Sequence, residues 1–133
     1  MDGVRRILLI SGSLRRYSTN TALLATAHVV SPTGIVATLY DGMAALPHFN
    51  PDDDGPSLPE PVAVLRAQIG KADAVLFSTP EYAGALPGSF KNVLDWAVGD
   101  DQPGSMNGKP VAWVNVSPNE ASLVSRCVVC SGI

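Results

Sequence analysis

Four short apolar runs alternate with segments of helical periodicity, and this alternation limits the possible folds more than any other feature of the sequence. The runs occupy residues 4–10, 35–40, 73–79 and 110–116. Strands that alternate with helices are typical of a parallel α/β sheet, and right-handed crossovers leave few strand orders. We therefore predict a doubly wound parallel sheet of order 2-1-3-4.

Three helices are predicted between these strands from apolar residues at helical spacing. The first covers residues 20 to about 30, where Leu23, Ala27 and Val30 fall at helical spacing. The apolar residues of the second and third helices are Val62, Leu65 and Ile69, then Phe90, Val93, Leu94 and Ala97. Ser89 is the predicted N-cap of the third helix.

The segment from residue 41 to about 60 is predicted to be a long loop, because it is rich in proline and has only scattered apolar residues. A loop of this length is unusual in a small domain and often functional. Asp52–Asp54 are interpreted as a solvated turn within it. Cys127 and Cys130, near the end of the chain, lack the context of a zinc or redox motif and are interpreted as buried thiols. No metal site is predicted.

Composition and charge exclude several classes of protein. The chain has 133 residues, of which 46% are hydrophobic and 16% charged, and its net charge is −3. We expect a single domain over residues 1–133. No broadly basic face indicates nucleic-acid binding, and no apolar run is long enough to span a membrane. No secretory signal is recognised, so a cytoplasmic location is expected.

The loops after the first and third strands should meet at one edge of the sheet. Ligands of open α/β sheets bind beyond the carboxyl ends of the strands, where the strand order reverses. The first of these loops, SGSLRRYSTNT (residues 11–21), combines hydroxyls, an amide and two arginines with the start of a helix. It lacks the glycine fingerprints of dinucleotide and P-loop sites. Hydroxyls, helix N–H groups and a guanidinium suit a phosphate monoester, whereas a simple helix cap would need only one hydroxyl.

The second loop, PEYAGALPG (residues 80–88), carries one tyrosine between residues that let the backbone approach closely. Gly84 is free to adopt a positive φ. Such a loop can present N–H groups and a ring edge to a flat heterocycle, although an ordinary connection whose tyrosine packs on the sheet is an equal alternative. Together, the two loops predict a mononucleotide with a planar ring, and FMN fits best.

The stretches GSLRRYSTNTALL, PEYAGALPGSFKNVLDW and GKPVAWVNVSP resemble the NADPH-dependent FMN reductase family, whose relatives include chromate, quinone and azo-dye reductases. The resemblance covers residues 4–118. It implies a flavodoxin-like fold with FMN and NADPH as cofactors. The residues that it places around the phosphate are Ser13, Leu14 (through its N–H), Arg15, Ser18, Asn20 and Thr21. Those that it places along the flavin ring are Pro80, Glu81, Tyr82, Ala83, Gly84 and Ser117.

The resemblance also implies a two-step reaction, in which NADPH reduces the flavin and the flavin reduces a small acceptor such as a flavin, quinone, azo compound or metal oxyanion. The cofactor supplies this chemistry, so no catalytic side chain is predicted. A homodimer or homotetramer is expected, since members of the family commonly dimerise.

The tail, residues 118–133, departs from the family pattern, which continues with a helix and a fifth strand. We therefore expect the fifth strand to be missing or replaced, as in a truncated chain. The apolar fourth strand would then be an edge, which a second copy or the tail should cover. Two alternatives stay open: a flavodoxin-type electron carrier, and a truncated, inactive relative that binds no flavin.

Overall fold

The computed structural model describes residues 3–117 in full and residues 128–131 as backbone. Strands and helices alternate along the chain as the apolar pattern predicts. They are β1 (Arg5–Ser11), α1 (Thr19–Val29), β2 (Ile35–Tyr40), α2 (Glu60–Lys71), β3 (Ala74–Ser78), α3 (Gly88–Val98), β4 (Pro110–Val114) and β5 (Val128–Ser131). Two short 3₁₀ helices, Met43–Ala45 and Pro51–Asp53, lie between β2 and α2.

The five strands form one sheet of order β2-β1-β3-β4-β5. The first four are parallel, with Ile7 opposite Ala37 on one side and Ala74 on the other. This confirms the predicted flavodoxin-like order 2-1-3-4. The fifth strand is replaced rather than missing, because β5 runs antiparallel to β4 and pairs Val128 with Trp113. Residues 128–131 of the tail therefore cover the edge of β4.

The helices bury the two faces of the sheet separately. On one face, Leu24 of α1 packs with Leu9 and Ala37. On the other, α2 and α3 cover a larger core that includes Leu8, Ile10, Val75 and Phe77 from the strands and Val62, Leu65, Ile69, Phe90, Val93 and Trp96 from the helices. Alternate residues of β1 thus face opposite layers, as the period of a strand requires.

The helices differ from the prediction at two places. Ala27 of α1 packs against the core as its spacing suggests, but Val30 lies just beyond the end of the helix and is exposed, and the fully buried apolar residue is Leu24. The helix is apolar almost all round, so its sequence does not single out one face. Helix α3 begins at Gly88 with Pro87 in the capping position, so Ser89 lies inside the helix and is not its N-cap.

The long connection between β2 and α2 is irregular apart from its two 3₁₀ helices, as predicted, and it packs against the helices. The carbonyl oxygen of Pro47 accepts hydrogen bonds from Asn92 Nδ2 and Trp96 Nε1, both at 2.9 Å. The ring of Phe49 stands edge-on to Trp96, with centroids 4.9 Å apart. Helix α3 therefore holds the first half of the connection in place.

The second half is held by an ion pair that the sequence analysis did not predict. Both carboxylate oxygens of Asp54 accept hydrogen bonds from the guanidinium of Arg66, at 2.9 and 3.0 Å. Arg66 also donates to the carbonyl oxygen of Trp96. These contacts lower the pKa of Asp54, chiefly through the hydrogen bond from Arg66. Asp52 and Asp53 are exposed as predicted, whereas Asp54 is not.

Two further expectations concern membrane-spanning segments and the cysteines. None of the helices in the described part of the chain is both long and apolar enough to cross a membrane. Cys127 and the side chain of Cys130 lie outside the described residues, so the thiol interpretation stays a prediction.

Candidate functional site

A small cavity lies at the carboxyl ends of β1, β3 and β4, at the edge of the sheet where the ligand was predicted. Its volume is about 150 Å³. The residues that line it come from the loops after β1 and β3, the first turn of α1 and the end of β4: Ser13, Arg15, Tyr17, Ser18, Thr19, Asn20, Pro80, Tyr82 and Ser117. Arg15 is the one basic residue among them and none of them is acidic, so the cavity favours an anion.

The N-terminus of α1 forms the base of this cavity. Ser18 has an extended backbone (φ −69°, ψ 127°) and caps the helix, because its Oγ accepts a hydrogen bond from the N–H of Thr21. The first N–H groups of a helix have no partners within the helix, and their dipoles attract negative charge. The cap and the arginine thus lie together at the start of α1, within the stretch from which an anion site was predicted.

Hydrogen bonds within the first loop fix its shape. Ser11 Oγ accepts from the N–H of Ser13 at 3.2 Å and lies 2.7 Å from Thr21 Oγ1. Ser13 Oγ in turn accepts from the N–H of Arg15. The loop is therefore held to α1 before any ligand binds, and the hydroxyl of Thr21 takes part in this network rather than lining the cavity.

The two neighbouring arginines differ in their surroundings. Arg15 lines the cavity. The guanidinium of Arg16 lies over the ring of Tyr17, 5.5 Å from its centroid, and does not line the cavity. This difference agrees with a phosphate-binding role for Arg15 alone.

Asn20 lies at the inner wall of the cavity and is only 2% exposed. Its Oδ1 accepts two hydrogen bonds, from Ser78 Oγ at 2.7 Å and from the N–H of Val116 at 3.1 Å. The neighbouring Thr19 Oγ1 donates to the carbonyl oxygen of Val116 at 3.1 Å. The first turn of α1 is therefore tied to the ends of β3 and β4.

The second loop forms a tight turn beside the cavity. Tyr82 and Ala85 exchange two backbone hydrogen bonds, at 2.9 and 3.0 Å. The two residues between them have positive φ, 52° at Ala83 and 74° at Gly84, as in a type I′ turn. Gly84 thus adopts the positive φ that was predicted to be open to it. Ala83 is also left-handed, which is unfavourable for a residue with a Cβ. Tyr82 is half exposed at the cavity mouth.

The two loops meet where a glycine of the first contacts a threonine of the second. A Cβ placed on Gly12 would lie 2.2 Å from Thr79 Oγ1 and 2.5 Å from Thr79 Cβ. The N–H of Gly12 donates to the carbonyl oxygen of Ser78 at 2.8 Å. Only glycine allows the chains leaving β1 and β3 to approach this closely.

The cavity brings together seven of the twelve predicted cofactor-binding residues: Ser13, Arg15, Ser18, Asn20, Pro80, Tyr82 and Ser117. The other five do not line it: Leu14, Thr21, Glu81, Ala83 and Gly84. Leu14 is more than half exposed beside it. Tyr17 and Thr19 line the cavity and were not predicted, although both lie inside the polar stretch that was singled out. The cofactor-binding roles themselves stay predictions.

The residues that line the cavity suit the phosphate of FMN better than a metal ion. Hydroxyls, a guanidinium and a helix N-terminus are donors, and donors bind a phosphate ester. In the described ranges, 3–117 and 128–131, no group of three or more His, Cys, Asp and Glu side chains could hold a metal. The cavity is smaller than the roughly 300 Å³ of a typical ligand pocket, so it can enclose the phosphate end of FMN but not the whole molecule.

Comparison with known proteins gives a consistent result. The model of a family described as NADPH-dependent FMN reductase matches residues 5–126, which extends beyond residue 118, where the resemblance was expected to end. An NAD(P)H-dependent FMN reductase of Pseudomonas aeruginosa is 42% identical over 113 residues, which are 84% of this chain and 60% of the relative. A quinone reductase of Pseudomonas putida is 33% identical over 118 residues, 89% of this chain and 63% of the relative.

A solved structure agrees with these relatives. The flavoenzyme NAD(P)H:(acceptor) oxidoreductase of Paracoccus denitrificans superposes with a TM-score of 0.77 at 35% identity, over 88% of this chain and 63% of the other. The chain therefore spans less than two thirds of the length of these three proteins.

Proposed function

Because the chain belongs to the NADPH-dependent FMN reductase family, we propose that it binds FMN and uses NAD(P)H to reduce a small acceptor. The observation that carries the proposal is the cavity at the N-terminus of α1, where Arg15 and the hydroxyls of Ser13 and Ser18 converge. These groups would hold the phosphate, together with the N–H of Leu14, while Asn20 and Thr21 would support the loop or the phosphate.

The turn after β3 and the end of β4 would hold the flavin ring. Pro80, Tyr82 and Ser117 all line the cavity. The N–H groups of Glu81, Ala83 and Gly84 lie in or beside the turn and would reach the polar edge of the ring. Donors aimed at that edge stabilise negative charge that develops there on reduction.

The chemistry would belong to the cofactor. FMN, when bound, accepts a hydride from NADPH and releases electrons to a second molecule. The protein residues therefore need to bind and orient the flavin, and no acid or base among them is required. This supports the expectation that the site has no catalytic side chain of its own.

The acceptor and the assembly follow from the same proposal. Two of the relatives are named as reductases of FMN and quinones, so we propose an acceptor of the flavin or quinone type. The small cavity leaves the ring side of the cofactor open, and a second copy in a homodimer or homotetramer would close it. A single FMN-binding domain over residues 1–133 and a cytoplasmic location stay predictions.

A visible absorption spectrum of the purified protein, before and after anaerobic NADPH, tests the proposal. A flavin spectrum that NADPH alone bleaches supports the reductase. Bleaching that needs an added reductase indicates the flavodoxin-type carrier. A colourless protein that takes up no added FMN indicates the inactive relative and refutes the proposal.

A matched pair of variants tests where the phosphate binds. A hydrogen bond to a charged group contributes about 1.5–3 kcal/mol, so Arg15→Ala should raise the Kd for FMN about tenfold to a hundredfold. Arg16→Ala should change the Kd much less, because that guanidinium lies over Tyr17. Equal losses in the two variants, measured by quenching of flavin fluorescence, would mean that the phosphate is misplaced.

A further inference from the structure

Both polar groups of the Val116 backbone are bound by the first turn of α1. Its N–H donates to Asn20 Oδ1 at 3.1 Å, and its carbonyl oxygen accepts from Thr19 Oγ1 at 3.1 Å. Val116 lies just after β4, and residues 19 and 20 open the helix whose N-terminus forms the base of the cavity. We call this arrangement the Val116 clamp.

The clamp is anchored to the sheet through one atom. Asn20 Oδ1 also accepts from the hydroxyl of Ser78, the last residue of β3, at 2.7 Å. Ser78 is fully buried and does not line the cavity. One amide oxygen thus joins α1, β3 and the segment after β4. Removing it would leave two donors at the end of the sheet without their acceptor, which is unfavourable for buried polar groups.

The clamp fixes the residue that follows it. Ser117 lines the cavity together with Tyr82, and its N–H donates a hydrogen bond to Asn115 Oδ1 at 2.9 Å. We propose that Asn20 is a positioning residue: it sets Val116 and Ser117 at the ring side of the flavin site, rather than acting mainly as a phosphate ligand. This inference rests on the proposed function, that the cavity binds FMN.

Riboflavin separates the two roles, because it has the flavin ring but no phosphate. A phosphate ligand contributes to FMN binding alone. A residue that positions Ser117 contributes to both ligands by the same factor. The experiment compares the Kd of FMN with that of riboflavin, from fluorescence titrations of the whole chain and its variants.

Loss of one buried hydrogen-bond acceptor gives the expected magnitude. Asn20→Ala should raise both Kd values about tenfold and leave their ratio unchanged. Ser78→Ala should raise both by about threefold, although Ser78 does not touch the cavity. Arg15→Ala is the contrasting control and should raise the Kd of FMN alone. Asn20→Asp keeps an oxygen acceptor for both donors and should restore riboflavin binding, but not FMN binding, because it adds a negative charge near the phosphate.

Amide hydrogen exchange at Val116, measured by NMR without flavin, gives a second readout. Exchange should be about tenfold faster in Asn20→Ala, moderately faster in Ser78→Ala and unchanged in Arg15→Ala. If Asn20→Ala does not fold, Ser78→Ala decides the question through the same measurements.

Two results would overturn the inference. One is an Asn20→Ala protein that loses affinity for FMN but not for riboflavin, which would identify a direct phosphate ligand. The other is unchanged exchange at Val116 in both Asn20→Ala and Ser78→Ala. A wild-type protein that binds neither flavin refutes the proposed function instead, and the exchange data still decide whether the clamp exists.

Discussion

The contact between Gly12 and Thr79 predicts that one added methyl group will destabilise the fold at its ligand edge. In Gly12→Ala, the new Cβ would lie 2.2 Å from Thr79 Oγ1, whereas ordinary contacts begin at 3.4 Å. Rotating the threonine hydroxyl away does not relieve the overlap, because Thr79 Cβ is itself only 2.5 Å from the new atom. The backbones of the two loops must therefore move apart by about 1 Å.

Overpacking of this kind costs about 1–3 kcal/mol, and we expect the upper half of that range because no flexible side chain can yield. The lower conformational entropy of unfolded alanine offsets about 0.5 kcal/mol of it. The free energy of unfolding should fall by about 2 kcal/mol, and Tm by roughly 8 °C for a chain of this length. Urea and thermal denaturation, followed by circular dichroism, measure both quantities.

A matched control and a second-site variant test whether the overlap with Thr79 causes the loss of stability. Gly70→Ala is the same chemical change within α2, where an added Cβ meets nothing within 4 Å, and it should stabilise the protein by about 0.5–1 kcal/mol. Thr79→Gly removes the atoms that collide, so its effect in the Gly12→Ala background should be more favourable than in the wild type. A Gly12→Ala protein within about 0.5 kcal/mol of the wild type would refute the reasoning.

Three other outcomes follow from the structure. Asp54→Asn breaks the pair with Arg66 and should cost about 2 kcal/mol in urea at neutral pH. Folding lowers the pKa of Asp54, so the ion pair stabilises the protein only while the carboxyl group is ionised. The difference in unfolding free energy between the wild type and Asp54→Asn should therefore be complete above the ordinary aspartate pKa of about 3.9. It should vanish as the pH falls through the lowered pKa of the folded state. Gly84→Ala places a Cβ at φ 74° and should lower the free energy of unfolding by about 1 kcal/mol, whereas equal stability would count against the type I′ turn. Removal of residues 118–133 exposes the edge of β4 and should cause association detectable by light scattering; a stable monomer would contradict the pairing with β5.

Much of the fold could be predicted from the sequence because each strand is a short apolar run that ends at a polar or glycine-rich loop. The buried face of α2 was also predictable, since Val62, Leu65 and Ile69 are large apolar residues at helical spacing and all three are buried. The face of α1 was not, because Leu23 and Leu24 are adjacent and only tertiary packing selects Leu24. The antiparallel direction of β5 could not be predicted, since the composition of a strand does not depend on its direction in the sheet.

The candidate site, like the fold, could be predicted only in part. Hydroxyls and arginine in residues 11–21 indicated an anion site at the start of α1, and the loop after β3 indicated its neighbour. The sequence could not separate a residue that contacts a ligand from one that holds the site together. Asn20 and Thr21 have polar side chains in the same stretch, yet one binds Val116 and Ser78 and the other contacts Ser11. The role of Asn20 depends on hydrogen-bond partners 58 and 96 residues away in the chain. The role of Thr21 depends on a partner at the other end of the same loop.

The direction of β5 determines from which end of the sheet the chain departs. In an all-parallel sheet the last strand would finish at the ligand edge, but here Ser131 pairs with Pro110, at the amino end of β4 and so at the edge opposite the cavity. A cysteine introduced at position 131 would thus lie on the side away from the proposed flavin. Immobilisation through that position should leave the cavity facing the solution, which suits surface-based measurements of flavin and NADPH binding.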